Sequence, residues 1–175
     1  MILRALAVAV TLMLSLSPQR AATCPDFTGI FVVQGEDGYV VTEFRQTGCA
    51  TLSLARRNLY LGEVSRSSAS FRLDGVFRQD PQPRSESAAF IRSGNLVIVM
   101  RSPERLVQSR RIPAREERYE FSKLSDGDLC QVAHWDKFDQ TIRAARLRGE
   151  GTPAERAAAL RSDSVPCGPG SDGPS

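Results

Sequence analysis

Histidine is all but missing from this sequence. His134 stands alone among 175 residues, which removes histidine-rich metal centres and leaves one imidazole for base-assisted nucleophilic catalysis. Its surroundings, Ala133-His134-Trp135-Asp136, offer Asp136 as an orienting partner, but no G-x-S-x-G stretch supplies a nucleophile. We read His134 as a packing or surface residue and expect no enzyme. There is also no C-x-x-C pair and no glycine-rich phosphate loop, and Asp126-Gly127-Asp128 is far too short for a calcium loop. Neither metal nor cofactor is expected. Of the carboxylate pairs that glycoside hydrolysis would require, Asp126 and Asp128 flank a turn glycine, and Glu116 and Glu117 read as a solvated face.

Lysine is nearly as scarce: the 23 basic residues are 21 arginines plus Lys123 and Lys137. The formal charge of +3 does not make the folded part basic, because without Arg4 and Arg20 there are 21 basic against 20 acidic residues. Overall charge therefore gives no argument for nucleic acid. Long apolar runs are absent after residue 22; the longest, Leu96 to Met100, is strand-sized, so no transmembrane helix is expected.

The leader is what the rest lacks. Met1 to Ser17 carries one charge, Arg4, followed by the apolar run Ala5 to Leu14, the length of a secretory h-region. Small residues at Ala21 and Ala22 place a cleavage site there, giving a signal peptide over 1–22 and a periplasmic or secreted mature chain. A lipid anchor on Cys24 is disfavoured, because Ala-Ala-Thr before it is not a lipobox. Four cysteines, Cys24, Cys49, Cys130 and Cys167, survive this cut and read as two disulfides. Cys24 with Cys49 and Cys130 with Cys167 is one of three pairings that the sequence leaves open.

From Gly29 to Leu124, short β-prone runs alternate with turn cues: Gly29 to Gln34, Tyr39 to Gln46, Cys49 to Ala55, Leu59 to Val64 after Arg57-Asn58, and Phe71 to Phe77. After the proline-rich turn Asp80 to Pro83 come Ala88 to Arg92, Leu96 to Arg101 and Tyr119 to Leu124, with Ser93-Gly94-Asn95 as a hairpin signal. About eight strands with local turns predict a mainly β, antiparallel up-and-down barrel or sandwich over 23–129. Phe31, Phe71, Leu73 and Phe77 are the candidate interior residues. Beyond Leu129 the pattern changes to one or two helices in an extension over 130–167. Asp136 to Arg148 sets Phe138, Ile142 and Ala145 on one helical face before Gly149, and Thr152-Pro153-Ala154-Glu155 is a capping box. Residues 168–175 are too polar to fold alone.

The opening stretch Cys24-Pro25-Asp26-Phe27-Thr28-Gly29-Ile30-Phe31 resembles the start of the calycin group, the lipocalin-like and avidin-like barrels. In those folds a glycine two residues before an aromatic begins the first strand, and the aromatic plugs the closed end. Phe31 stands where the family usually has tryptophan, and no second lipocalin motif accompanies it. The resemblance implies a barrel with an apolar cavity and carries over no ligand residue.

One segment stands apart. Arg101 to Arg118 is a long connection with Arg105, Arg110, Arg111 and Arg115 as candidate anion-binding residues and Glu104, Glu116 and Glu117 as counter-charges. It contains no interleaved aromatic for stacking bases, so no nucleic acid is expected, and the same arginines also read as a solvated loop paired with those glutamates. The functional expectation is an exported, non-catalytic module that holds a small apolar or amphipathic ligand in the barrel. The alternative is a protein-facing inhibitor or cell-envelope interaction module using the barrel rim and the 101–118 loop. The sequence names neither the ligand nor the envelope partner.

Overall fold

The computed structural model describes residues 24–34, 38–80, 85–107, 110–135, 138–148, 152–162 and 167. The expected signal peptide, the proline-rich turn at 81–83, the helix stop at Gly149 and the polar tail over 168–175 lie outside these residues. In chain order the elements are β1 (Gly29–Gln34), β2 (Gly38–Thr47), β3 (Thr51–Tyr60), β4 (Glu63–Arg72), β5 (Arg78–Gln79), β6 (Glu86–Arg92) and β7 (Asn95–Ser102). They continue with β8 (Arg105–Val107), β9 (Arg110–Ile112), β10 (Arg115–Lys123), β11 (Leu129–Trp135), β12 (Phe138–Arg146) and the helix α1 (Pro153–Ser162).

Ten strands form one antiparallel sheet in the order β4-β3-β2-β1-β12-β11-β10-β7-β6-β5, curled into a half-barrel, while β8 and β9 make a separate ribbon. The first strand holds the two halves together, pairing with β2 (Phe31 with Thr42) and with β12 (Phe31 with Arg146). No ladder joins β4 to β5, which leaves an open seam.

Alternation along each strand sends one set of side chains inward. At one end these are Phe27, Phe31, Phe44, Leu52, Leu96, Phe121 and Leu129, all buried in one cluster. Phe44 sits at its centre with edge-on contacts to Phe31 (5.9 Å) and Phe121 (5.3 Å). The opening segment is sewn across this base by Gln46, whose side chain accepts from the Phe27 N–H (3.0 Å) and donates to the carbonyls of Pro25 (3.0 Å) and Gly48 (2.7 Å). Disulfides tie Cys24 to Cys49 at this end and Cys130 to Cys167 on the outer wall.

The largest difference from the sequence expectation is at the C-terminal side. The strands do not stop near Leu124, and residues 138–146 are a strand, not a helix: β12 pairs along its length with β11 and closes on β1. Phe138, Ile142 and Ala145 satisfy a helical spacing, but the unpaired edges of β1 and β11 take this segment into the sheet, a tertiary demand that overrides local pattern. The extension over 130–167 is therefore mostly sheet, with one helix. That helix is the one with the capping box, in which the Glu155 N–H donates to Thr152 Oγ1 (3.3 Å) and the Thr152 N–H donates to Glu155 Oε2 (2.6 Å). These bonds hold the Glu155 carboxyl below its usual range. The helix lies outside the barrel, with Ala157 against Val32 and Val41.

One turn also differs and another agrees. The strand β3 runs through Arg57-Asn58 and turns at Leu61-Gly62, where both residues have positive φ (48° and 83°). The two-residue hairpin at Ser93-Gly94 has the same left-handed geometry (50° and 83°), as its sequence signals.

Candidate functional site

Three strands that feed the base, β3, β4 and β10, carry polar residues toward the other end. On β3 the inward series Leu52, Leu54 continues to Arg56 and Asn58; opposite them on β4, Phe71 and Ala69 give way to Ser67 and Ser65. Arg56 Nε donates to Asn58 Oδ1 (2.9 Å), and Asn58 Nδ2 donates to Ser65 Oγ (3.2 Å). Five strands away in the sheet, on the facing wall, Phe121 gives way to Tyr119, Glu117 and Arg115.

Tyr119 organises that wall. Its hydroxyl donates to Glu117 Oε2 (2.8 Å) and accepts from Trp135 Nε1 (3.2 Å), and the two rings meet edge-on at 6.5 Å. Glu117 is also paired with Arg115. Burial, then the bond to Glu117, raises the Tyr119 phenol above its usual pKa, while the Arg56 guanidinium opposes this from across the lumen. The open half of the barrel is therefore a polar chamber over an aromatic floor.

The seam between β4 and β5–β6 opens as a groove of about 430 Å³ alongside the base end of β4. Ala69, Phe71 and Ala89 line it from the core, and Arg72, Arg78 and Asp80 stand at its margins. Buried Ser87 donates to Asp80 Oδ1 (2.5 Å). Asp74 is gripped by Arg78 through both carboxylate oxygens (2.8 and 2.7 Å), which drives its pKa far below the usual carboxylate range.

The residues expected from sequence fall as follows. Phe31 is in the buried base, and Phe71 and Leu73 pack against it. Phe77 does not join the interior: Gly75, at φ 73°, breaks the alternation after β4, and Phe77 lies under the Arg101 guanidinium (3.8 Å to the ring centre), a group on the outward side of β7. The four arginines do not converge. Arg111 pairs with Glu104 (2.7 Å) and Arg115 with Glu117, while Arg105 and Arg110 have no carboxylate partner among the described residues. His134 meets Asp139 of the neighbouring strand (Nδ1 to Oδ1, 2.6 Å) on the outer wall; Asp136 lies outside the described residues. Asp126 and Asp128 hold β12 in place: both pair with Arg143, and Asp128 accepts from the Arg146 N–H (2.8 Å). Glu116 pairs with Arg101 on the surface (2.7 Å). Among the described residues no group of acidic, cysteine and histidine side chains is arranged to hold a metal ion, and no helix is long and apolar enough to cross a membrane.

Arg56, Asn58, Tyr119 and Trp135 were not legible as a site. The inward parity from Leu52 to Asn58 is readable in Leu-Ser-Leu-Ala-Arg-Arg-Asn, but the facing of β3 and β10 depends on how the sheet curls.

Several solved structures share this architecture. The wild-type fluorescent protein UnaG overlaps 69% of this chain and 97% of its own, with a TM-score of 0.53 at 13% identity. A point mutant of UnaG, with alanine in place of one asparagine, overlaps 71% and 97%, with a TM-score of 0.52 at 15% identity. The chain shares the fold of these structures. At this identity the likeness establishes the fold alone, and it does not select the lipocalin or avidin subtype. No protein-family profile matches the sequence, and no curated protein matches it either.

Proposed function

We propose that this chain is an exported, non-catalytic binding module that holds a small amphipathic ligand in its open half-barrel. The ligand's apolar part lies over the aromatic floor and along Phe71 and Ala69, and its polar or anionic end faces Arg56, Asn58 and Tyr119. The observation that carries this reading is the change of inward residues along the same strands, from phenylalanine and leucine to arginine, asparagine, serine and tyrosine. Such a chamber matches a molecule with one end of each kind. Export is supported by the apolar leader and by two disulfides in a domain of this size.

The test is direct binding. A fluorescent fatty acid and a neutral analogue of the same chain length are titrated into the wild type, Arg56→Ser and Phe71→Ala. Arg56→Ser is expected to weaken the acid roughly tenfold, in line with losing one charge-assisted hydrogen bond, and to leave the neutral analogue unchanged. Phe71→Ala is expected to weaken both. Failure of either probe to bind the wild type overturns the reading.

A further inference from the structure

Seven of the nine large apolar side chains that are exposed among the described residues lie at one end of the barrel, the end opposite the aromatic base. They come from separate elements: Leu61 (79% exposed) at the β3–β4 turn, Phe138 (74%) at the start of β12, and Leu106 (72%) and Val107 (43%) on the β8–β9 ribbon. That ribbon leaves the barrel between β7 and β10 and pairs only with itself. No other described strand or helix packs substantially on it. A two-stranded ribbon with nothing to bury against is marginal alone, so its exposed aliphatic residues call for an external contact.

The ribbon's chemistry selects that contact. Each cross-strand pair sets one arginine beside one aliphatic residue: Arg105 with Ile112, Leu106 with Arg111, Val107 with Arg110. The stretch from Arg105 to Arg115 contains four arginines and no acidic residue, and Arg105 and Arg110 are free of carboxylate partners among the described residues. Neither face is a continuous apolar surface of the kind that anchors a protein interface. Aliphatic tips interleaved with guanidinium groups suit the boundary zone of a bilayer, where hydrocarbon sinks below the phosphates and arginines reach back to them. Three strand residues span roughly 10 Å, the depth of that zone. We infer that the β8–β9 ribbon and the apolar rim beside it dock this protein on an anionic lipid surface, with the mouth of the barrel toward the membrane. The inference does not depend on what the barrel holds.

Vesicle retention tests it. The full chain is sedimented with vesicles of mixed phosphatidylglycerol and phosphatidylcholine, and with pure phosphatidylcholine, at low and high salt. Retention on the mixed vesicles, reduced by salt and absent from the neutral ones, is expected. Leu106→Ser with Val107→Ser keeps every charge and is expected to lower retention about tenfold or more; Arg105→Ser with Arg110→Ser is expected to do the same, at roughly a few-fold per arginine. Arg45→Ser with Arg72→Ser, at the opposite end, is expected to change it less than twofold. Because the ribbon stands clear of the core, melting curves of its variants should match the wild type, and uptake of the fluorescent fatty acid reads the barrel separately. No retention on anionic vesicles, equal retention on neutral ones, or loss of retention only in the Arg45 and Arg72 variant overturns the inference.

Discussion

The two ends of this barrel use the same strands for opposite purposes. At the base, β1, β2, β3 and β10 turn Phe31, Phe44, Leu52 and Phe121 inward, and Phe27 fills the space from the opening segment. Toward the mouth, β3 and β10 turn Arg56, Asn58, Tyr119 and Glu117 inward, and these hydrogen-bond one another and Ser65. The alternation never changes; only the residue types along it do. One strand can thus contribute a buried apolar stretch at the base and a polar stretch at the mouth, and the two can be altered separately.

That separation can be broken most forcefully at Phe44. Replacing it with Ala removes two edge-on aromatic contacts and leaves a void, and should cost about 3–5 kcal/mol in thermal or denaturant unfolding. The same truncation of exposed Ser67 at the mouth should stay within about 0.5 kcal/mol. Equal losses at the two positions would end the distinction between the ends. Next in size is the Cys24–Cys49 bridge, which pins the opening segment to the base. Replacing both cysteines with Ser should lower stability by about 3 kcal/mol on the chain-entropy account, while binding of the fluorescent fatty acid to the molecules that remain folded should persist.

The smallest effect is expected at the mouth itself. The phenol of Tyr119 is raised by burial and by its bond to Glu117. A group whose folded pKa exceeds its unfolded value contributes stability that is complete below the unfolded phenol value of about 10 and is lost as pH rises through the folded one. Absorbance titration should therefore show one of the three tyrosines ionising later in the folded protein than in the unfolded one. Tyr119→Phe should remove that late step and the accompanying loss of stability at high pH.

The base was readable in part, through Phe31 and the flanking Phe71 and Leu73, and the mouth was not. Gly29 and Phe31 mark the first strand, and the alternating Phe, Leu and Val runs give most of the sheet, because burial there follows from local composition. The last strand was hidden: residues 138–146 read as part of a helix, and what decides them is the pair of edges offered by β1 and β11. The Arg101 to Arg118 segment reads as one long connection, yet it contains a ribbon and the start of β10, since that strand begins Arg-Glu-Glu-Arg with no apolar period to announce it. The partners Arg56 and Tyr119 lie on facing walls, and no spacing in the chain expresses the curl of the sheet.

The pairing of Val32 with Ala145 sets an order of events for the chain as it matures. Hairpins such as β2–β3 and β6–β7 need only neighbouring residues and close quickly, whereas the β1–β12 ladder must bring together segments separated by almost the whole domain, the kind of contact that slows folding. Until β12 arrives, β1 and β11 both present bare edges, each able to capture another chain. A molecule cut short before Phe138 would keep its earlier hairpins and the aromatic residues of the base, yet it would persist in that sticky, half-assembled condition.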